Sequence, residues 1–175
     1  LEHPVMGYAD PWDGVYKAVQ GWWERRHGWK ADTEWMHIGS GVVTALYFNL
    51  KLLIPEGEKV AVFSPVYDPF FAAVKNSGHE LVECEMDCEN NYYTINYECF
   101  EEELKNGVKA VIMCNPHNPV GRVWTEEELE KIVKLCVKYD VYVFSDEVHA
   151  DYALERKYTT MGKFPELYDK LVIYT

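Results

Sequence analysis

The sequence predicts an α/β fold, a three-layer α/β/α arrangement around a mostly parallel sheet. Three observations predict it. Short apolar runs of strand length recur at 59–63, 79–84, 109–114, 141–144 and 171–174. The segments between several of them carry apolar residues at helical spacing. Apolar residues make up 48% of 175 positions, enough for one domain with a sizeable core. Strands that alternate with amphipathic helices form βαβ units, and those units require a parallel sheet covered on both faces.

Each element has a local reason. Residues 13–27 read as a helix capped by Asp13, with Val15, Ala18, Val19 and Trp22 on one face and Gly28 as its stop. Residues 35–38 read as a short extended piece. Gly39-Ser40-Gly41 then turns into an apolar helix over 42–53, stopped by Ile54-Pro55-Glu56-Gly57. A strand at 59–63 leads through a Pro-rich loop, 64–69, to a short helix at 70–76. A strand at 79–84 follows, then a helix over 96–106 closed by Gly107. The buried strand 109–114 runs into the loop Asn115 to Arg122. Thr125 opens the next helix with a capping box, Thr125-x-x-Glu128, and Leu129, Ile132, Val133 and Cys136 share one face. Strands at 141–144 and 171–174 complete the series.

Charge and composition exclude several classes. The chain has 29 acidic and 17 basic residues, a net charge of −12, so it repels nucleic acid and anionic lipid at long range. No apolar run reaches the length of a membrane span. Five cysteines without paired C-x-x-C spacing argue against a disulfide framework or a zinc site, so reduced thiols and a cytoplasmic location are expected. Leu1-Glu2-His3-Pro4 has no basic n-region before an apolar stretch, so no signal peptide is expected. It also has no initiator Met, so a processed chain or a fragment is expected.

Ligands in such sheets bind at the carboxyl ends of the strands, so the polar residues there carry the functional information. Gly39-Ser40-Gly41-Val42-Val43 feeds a helix N-terminus, which suits a phosphate or is a plain helix start. In Ser64-Pro65-Val66-Tyr67-Asp68-Pro69, two prolines stiffen a loop around Tyr67. That ring can stack on a flat ligand or pack over the sheet edge. In Asn115-Pro116-His117-Asn118-Pro119-Val120-Gly121-Arg122, the Asn118 amide can donate to a phenolate oxygen, or both asparagines serve the turn. In Ser145-Asp146-Glu147-Val148-His149, a carboxylate at a buried strand end needs a partner. A protonated ring nitrogen would supply one, and a helix N-terminus is the alternative.

In this order the four segments resemble the large domain of fold-type I pyridoxal 5'-phosphate (PLP) enzymes of the class I/II aminotransferase superfamily. The loop 115–122 together with 145–149 is similar to the MalY/PatB-type branch of cystathionine β-lyase-like C–S lyases. Typical aminotransferases carry Tyr where His149 stands. The resemblance implies that Gly41, Val42 and Val43 give backbone N–H groups to the PLP phosphate. It implies that Tyr67 stacks on the ring, Asn118 bonds the phenolic oxygen, Asp146 pairs with the ring nitrogen, and His149 lies near the phenolic oxygen. Gly7-Tyr8 resembles the segment from which a tyrosine reaches the neighbouring subunit's phosphate, which implies a homodimer. Trp22, Trp23 and Trp29 fit either a subunit contact or a core.

The resemblance also implies a partial PLP-binding large domain. The family's Ser-x-Ser-Lys motif, whose Lys forms the Schiff base, is expected after the strand 171–174, and a C-terminal small domain after that. Lys157, Lys163 and Lys170 precede the strand and lack the motif. The expected activity of the parent is C–S β-lysis of an amino acid to pyruvate, ammonia and a thiol, with the 175-residue chain alone inactive. The alternatives are an aminotransferase and, in another class, a non-catalytic pseudoenzyme or regulatory binding module.

Overall fold

The computed structural model describes residues 13–154 and 156–175. The chain divides into two units, Leu1–Ile38 and Gly39–Thr175.

In the first unit, α1 (Asp13–His27) spans the predicted helix and ends at Gly28, whose φ of 68° suits glycine and whose N–H donates to the Glu24 carbonyl. The buried face differs from the periodic reading. Trp23 and His27 are the buried pair, their rings 4.7 Å apart, and Trp23 also meets Trp29 edge-on at 6.1 Å. Val19 and Trp22 are exposed instead. The Trp23 face gathers three rings, Trp23, His27 and Trp29, and burying that cluster removes more apolar area from water than burying Trp22 with Ala18 and Val19. The extended piece expected at 35–38 is partly replaced by a 3-10 turn, Thr33–Trp35, because the Asp32 side chain accepts the Glu34 N–H at 3.0 Å and tightens the chain.

The second unit runs α2 (Val42–Leu53), β1 (Lys59–Ser64), α3 (Pro69–Asn76), β2 (Glu80–Glu85), β3 (Asp87–Glu89), β4 (Tyr92–Thr94), α4 (Tyr97–Lys105), β5 (Val108–Cys114), α5 (Glu126–Tyr139), β6 (Tyr142–Asp146) and β7 (Leu171–Tyr174). Five strands form one parallel sheet in the order β2-β1-β5-β6-β7. One face packs under α2 and α3 through Leu46, Leu50, Phe70, Val74, Val62, Ile112 and Phe144. The other packs under α4 and α5 through Phe100, Leu104, Ile132, Val133, Phe63, Val111 and Met113. Strand residues alternate between the two clusters, as a pleat requires, and three layers result.

The strand order places a switch point at β1 and β5. The chain leaves β1 through α3 to reach β2 on one side. It leaves β5 through α5 to reach β6 on the other. The loops after β1 and β5 therefore diverge, and a crevice opens between their carboxyl ends.

The sequence reading did not contain the antiparallel hairpin β3–β4. Its two-residue turn is Asn90-Asn91, both at positive φ (52° and 63°), the geometry that matches strand twist. The hairpin is held by Arg122, whose guanidinium lies between the rings of Tyr92 (4.2 Å) and Trp124 (4.5 Å), and whose Nη1 donates to the Tyr93 carbonyl. Arg122 Nη2 also donates to both oxygens of the Glu128 carboxylate, at 2.6 and 2.9 Å. The same carboxylate completes the expected capping box by accepting the Thr125 N–H. Among the described residues, no helix is long and apolar enough to cross a membrane.

Candidate active site

The crevice holds a cavity of about 320 Å³ lined by Val42, Val43, Tyr67, Cys114, Asn118, Asp146, Val148 and His149. Its floor is the carboxyl ends of β5 and β6, and its walls are the loops that follow β1, β5 and β6 together with the start of α2. Val42, Val43, Tyr67, Asn118, Asp146 and His149, named from sequence, thus line one space. Gly41 stands immediately before, as the residue that caps α2. Tyr8 lies outside the described residues.

Gly41 has φ 147° and ψ 154°, a conformation open essentially to glycine alone. A Cβ there would meet nothing within 4 Å, so the glycine serves backbone direction rather than space. It turns the chain so that α2 begins at the cavity, with the first N–H groups and the positive end of the helix directed outward.

Tyr67 is 40% exposed, and its ring stands perpendicular to Phe70 at 5.6 Å. The Asn118 loop is fastened from below. The Cys114 thiol donates to the Pro116 carbonyl at 3.3 Å and accepts the Asn118 N–H at 3.5 Å. Burial pushes that thiol up to about 12, so it is protonated and can donate. Asn115 serves the structure, as its turn reading allowed. Its amide donates to the Thr159 carbonyl at 3.0 Å and its oxygen accepts the Trp124 N–H at 3.1 Å.

Asp146 closes β6 at 6% exposure and accepts the Val148 N–H at 3.1 Å. Burial raises its carboxyl above the ordinary range, opposed by that hydrogen bond and by His149. One N–H is little for a carboxylate withdrawn from water, so the group favours a cationic donor placed in the cavity. The His149 ring lies edge-on to Tyr152 at 6.2 Å.

Sequence reasoning missed Glu147, a fully buried acid with three hydrogen-bond donors. It points away from the cavity into the protein and accepts from Ser145 Oγ (2.8 Å), Tyr158 Oη (2.5 Å) and the Met161 N–H (3.0 Å). Burial raises its carboxyl, and these donors oppose the rise. Glu147 thereby ties the end of β6 to the segment 158–161 and fixes Asp146 and His149 on either side of it. Cys114 and Val148 were also missed as lining residues. Their positions, at the end of β5 and directly before His149, were the available signals.

Fold and site together define a three-layer α/β protein with an anion-suited helix start and a buried carboxylate facing one cavity. The chain belongs to the aminotransferase class I and II family, whose model matches residues 10–174. It is 39% identical over 155 residues to cystathionine beta-lyase PatB of Bacillus subtilis (strain 168), covering 88% of this chain and 40% of that protein. It is 29% identical over 154 residues to protein MalY of Escherichia coli (strain K12), covering 86% and 39%. The solved structure of cystalysin from Treponema denticola, which contains a pyridoxal 5'-phosphate cofactor, superposes with a TM-score of 0.92 at 36% identity, over 97% of this chain and 44% of that one. The chain spans about two fifths of the length of the curated relatives it matches.

Proposed function

We propose that this chain is the cofactor-binding part of a PLP-dependent enzyme acting on amino acids, a C–S β-lyase that converts a β-thioether amino acid and water to pyruvate, ammonia and a thiol. The observation that carries the reading is the buried Asp146 carboxylate, under-supplied with donors and facing the same cavity as the glycine-turned start of α2. The likeness to PatB, MalY and cystalysin supports the lyase over other members of the family.

The residues present fit the cofactor. A cavity of about 320 Å³ lies in the range typical of small-molecule sites, ~300–1,000 Å³. Bound PLP supplies an acceptor for the electrons left on the substrate α-carbon when its proton is removed. The backbone N–H groups at Gly41, Val42 and Val43, with the α2 dipole, hold the phosphate. Asp146 keeps a proton on the ring nitrogen, because an ion pair in a water-poor place favours the charged form of both partners. Asn118 donates an amide N–H to the phenolic oxygen, and His149 sits beside that oxygen. Tyr67 covers one ring face and keeps water off it. A homodimer belongs to this reading, and only the family resemblance assigns Tyr8 to the neighbouring subunit's phosphate. The apolar side chains of Phe48, Leu52 and Leu53, exposed on α2, support such a subunit contact. The protein works in the cytoplasm, a reading supported by its five free thiols.

No lysine lines the cavity among the described residues. The Schiff-base lysine and the small domain are assigned to the three fifths of the relatives' length outside this chain. The second reading is an aminotransferase, favoured by the family match itself.

The test uses the full-length protein. With added PLP it is expected to show a Schiff-base absorbance band abolished by borohydride, and to release pyruvate from cystathionine without an oxo-acid acceptor. Asp146→Asn is expected to lower turnover by about 10³-fold, ~4 kcal/mol of transition-state stabilisation. Near-normal turnover in that variant would sink the assignment. Activity that depends on an oxo acid would move it to the aminotransferase.

A further inference from the structure

His117 lies in the middle of the loop that carries Asn118, yet the cofactor chemistry gives it no role. It is 1% exposed and lies edge-on to Trp124, with ring centroids 5.4 Å apart. Its Nε2 is 3.0 Å from the Pro65 carbonyl oxygen. A carbonyl only accepts, so Nε2 carries the hydrogen and donates. Burial pushes the imidazole below its usual range, which leaves it neutral with the proton on that nitrogen. The main chain of His117 is anchored on its own side of the crevice. Its N–H donates to the Arg122 carbonyl at 2.7 Å, and its carbonyl accepts the Gly121 N–H at 2.8 Å.

The ring therefore reaches from the loop after β5 to the loop after β1. These two loops flank the switch point. The first leads to α5 in one layer and the second to α3 in the other, so no βαβ unit couples them. Among the described residues, the His117–Pro65 contact is the hydrogen bond that joins segment 64–68 to segment 115–122.

We propose that His117 is a positioning residue that spans the switch-point crevice and holds Pro65-Val66-Tyr67 in fixed register with Asn118. The proposal deepens the cofactor reading given above. The Tyr67 carbonyl accepts the Phe70 N–H at 3.0 Å and Val66 is buried, so the loop is tied to its own layer. The His117 donor ties it across the crevice to the Asn118 loop and sets the height of the half-exposed Tyr67 ring against Asn118. The histidine suits the task because its donor sits at the far end of a flat, rigid side chain that also packs against Trp124.

The experiment compares His117→Phe with His117→Gln in the full-length protein. Phe keeps the ring against Trp124 and removes the donor. Gln keeps an N–H near the position of Nε2. Without cofactor, amide hydrogen exchange in segment 66–71 is expected to speed about tenfold in the Phe variant, with β5 and α5 unchanged. PLP affinity, followed by absorbance titration, is expected to fall about tenfold. Gln is expected to restore both to within about twofold. In a Tyr67→Ala background the Phe substitution is expected to cost no further affinity.

Unchanged exchange in the Phe variant overturns the proposal, and so does an affinity loss of equal size with and without Tyr67. Should the Phe variant fail to fold, His117→Asn takes its place, since its shorter amide leaves the gap open and the same contrast with Gln is expected. If the wild-type protein binds no PLP, the cofactor reading falls, and the exchange measurement alone still decides whether His117 braces the loop.

Discussion

At the scale of single residues, Asp146 is under opposing demands. The proposed cofactor chemistry needs its charge, and the fold without a ligand is burdened by it. Its folded value lies above the unfolded one, so between the two the folded chain binds the extra proton and stability falls as pH rises through that window. At neutral pH the cofactor-free protein therefore carries an unfavourable carboxylate. Asp146→Asn keeps the oxygen that accepts the Val148 N–H and removes the charge. Its cofactor-free melting temperature is expected to rise by roughly 2–4 °C at pH 7–8, about 1 kcal/mol. The gain should shrink as pH is lowered and the Asp146 carboxyl takes up its proton. A lower melting temperature at pH 7 would show that the carboxylate is satisfied within the protein. Asp146, Asn118 and His149 were legible because position after a strand is a local property. Glu147 was not. Next to it stands an acid of the same type, and only the return of the chain at 158–161 decides which of the two faces the interior.

At the scale of elements, capping chemistry was the clearest writing in the sequence. The box Thr125-x-x-Glu128 set its helix start where it was expected, while the cap of α4, Asn96, reads from sequence as the first residue of the helix itself. Gly28 and Gly107 closed their helices for the same local reason. The packed face of α1 was less legible, since a few large rings outweigh several small apolar residues. The hairpin β3–β4 was missed because its strands are three residues each, too short for an alternation to stand out. Its Asn-Asn turn was the remaining signal. The start of α2 offers the sharpest test of an element. Gly41→Ala forces a side chain into a backbone region that strains it by about 1–3 kcal/mol. The helix is expected to begin later or at a different angle. In the full-length protein PLP affinity should fall at least about tenfold, while β5 and β6 keep their exchange protection. An unaltered affinity would remove the α2 start from the cofactor site.

At the scale of the whole molecule, the class of fold followed from alternation alone, but the strand order did not. Periodicity says that strands are parallel and covered. It does not say that β1 sits between β2 and β5, nor therefore where the crevice opens. That information lies in which faces fill together: Phe63 with Phe100 on one side, Val62 with Phe70 on the other. The two borders of the sheet differ in a way that bears on solubility. At one border, β2 turns Glu80, Glu83 and Glu85 outward, and such charges discourage pairing with a stranger. At the other, β7 is Leu171-Val172-Ile173-Tyr174 with no charge, and among the described residues only β6 pairs with it. Four apolar, β-favouring residues with one row of backbone groups unmatched make a template for another extended chain. The 175-residue polypeptide on its own is expected to scatter light within hours at tens of micromolar, and Ile173→Lys is expected to delay it. A chain that stays clear without the lysine would mean that its β7 border is already shielded.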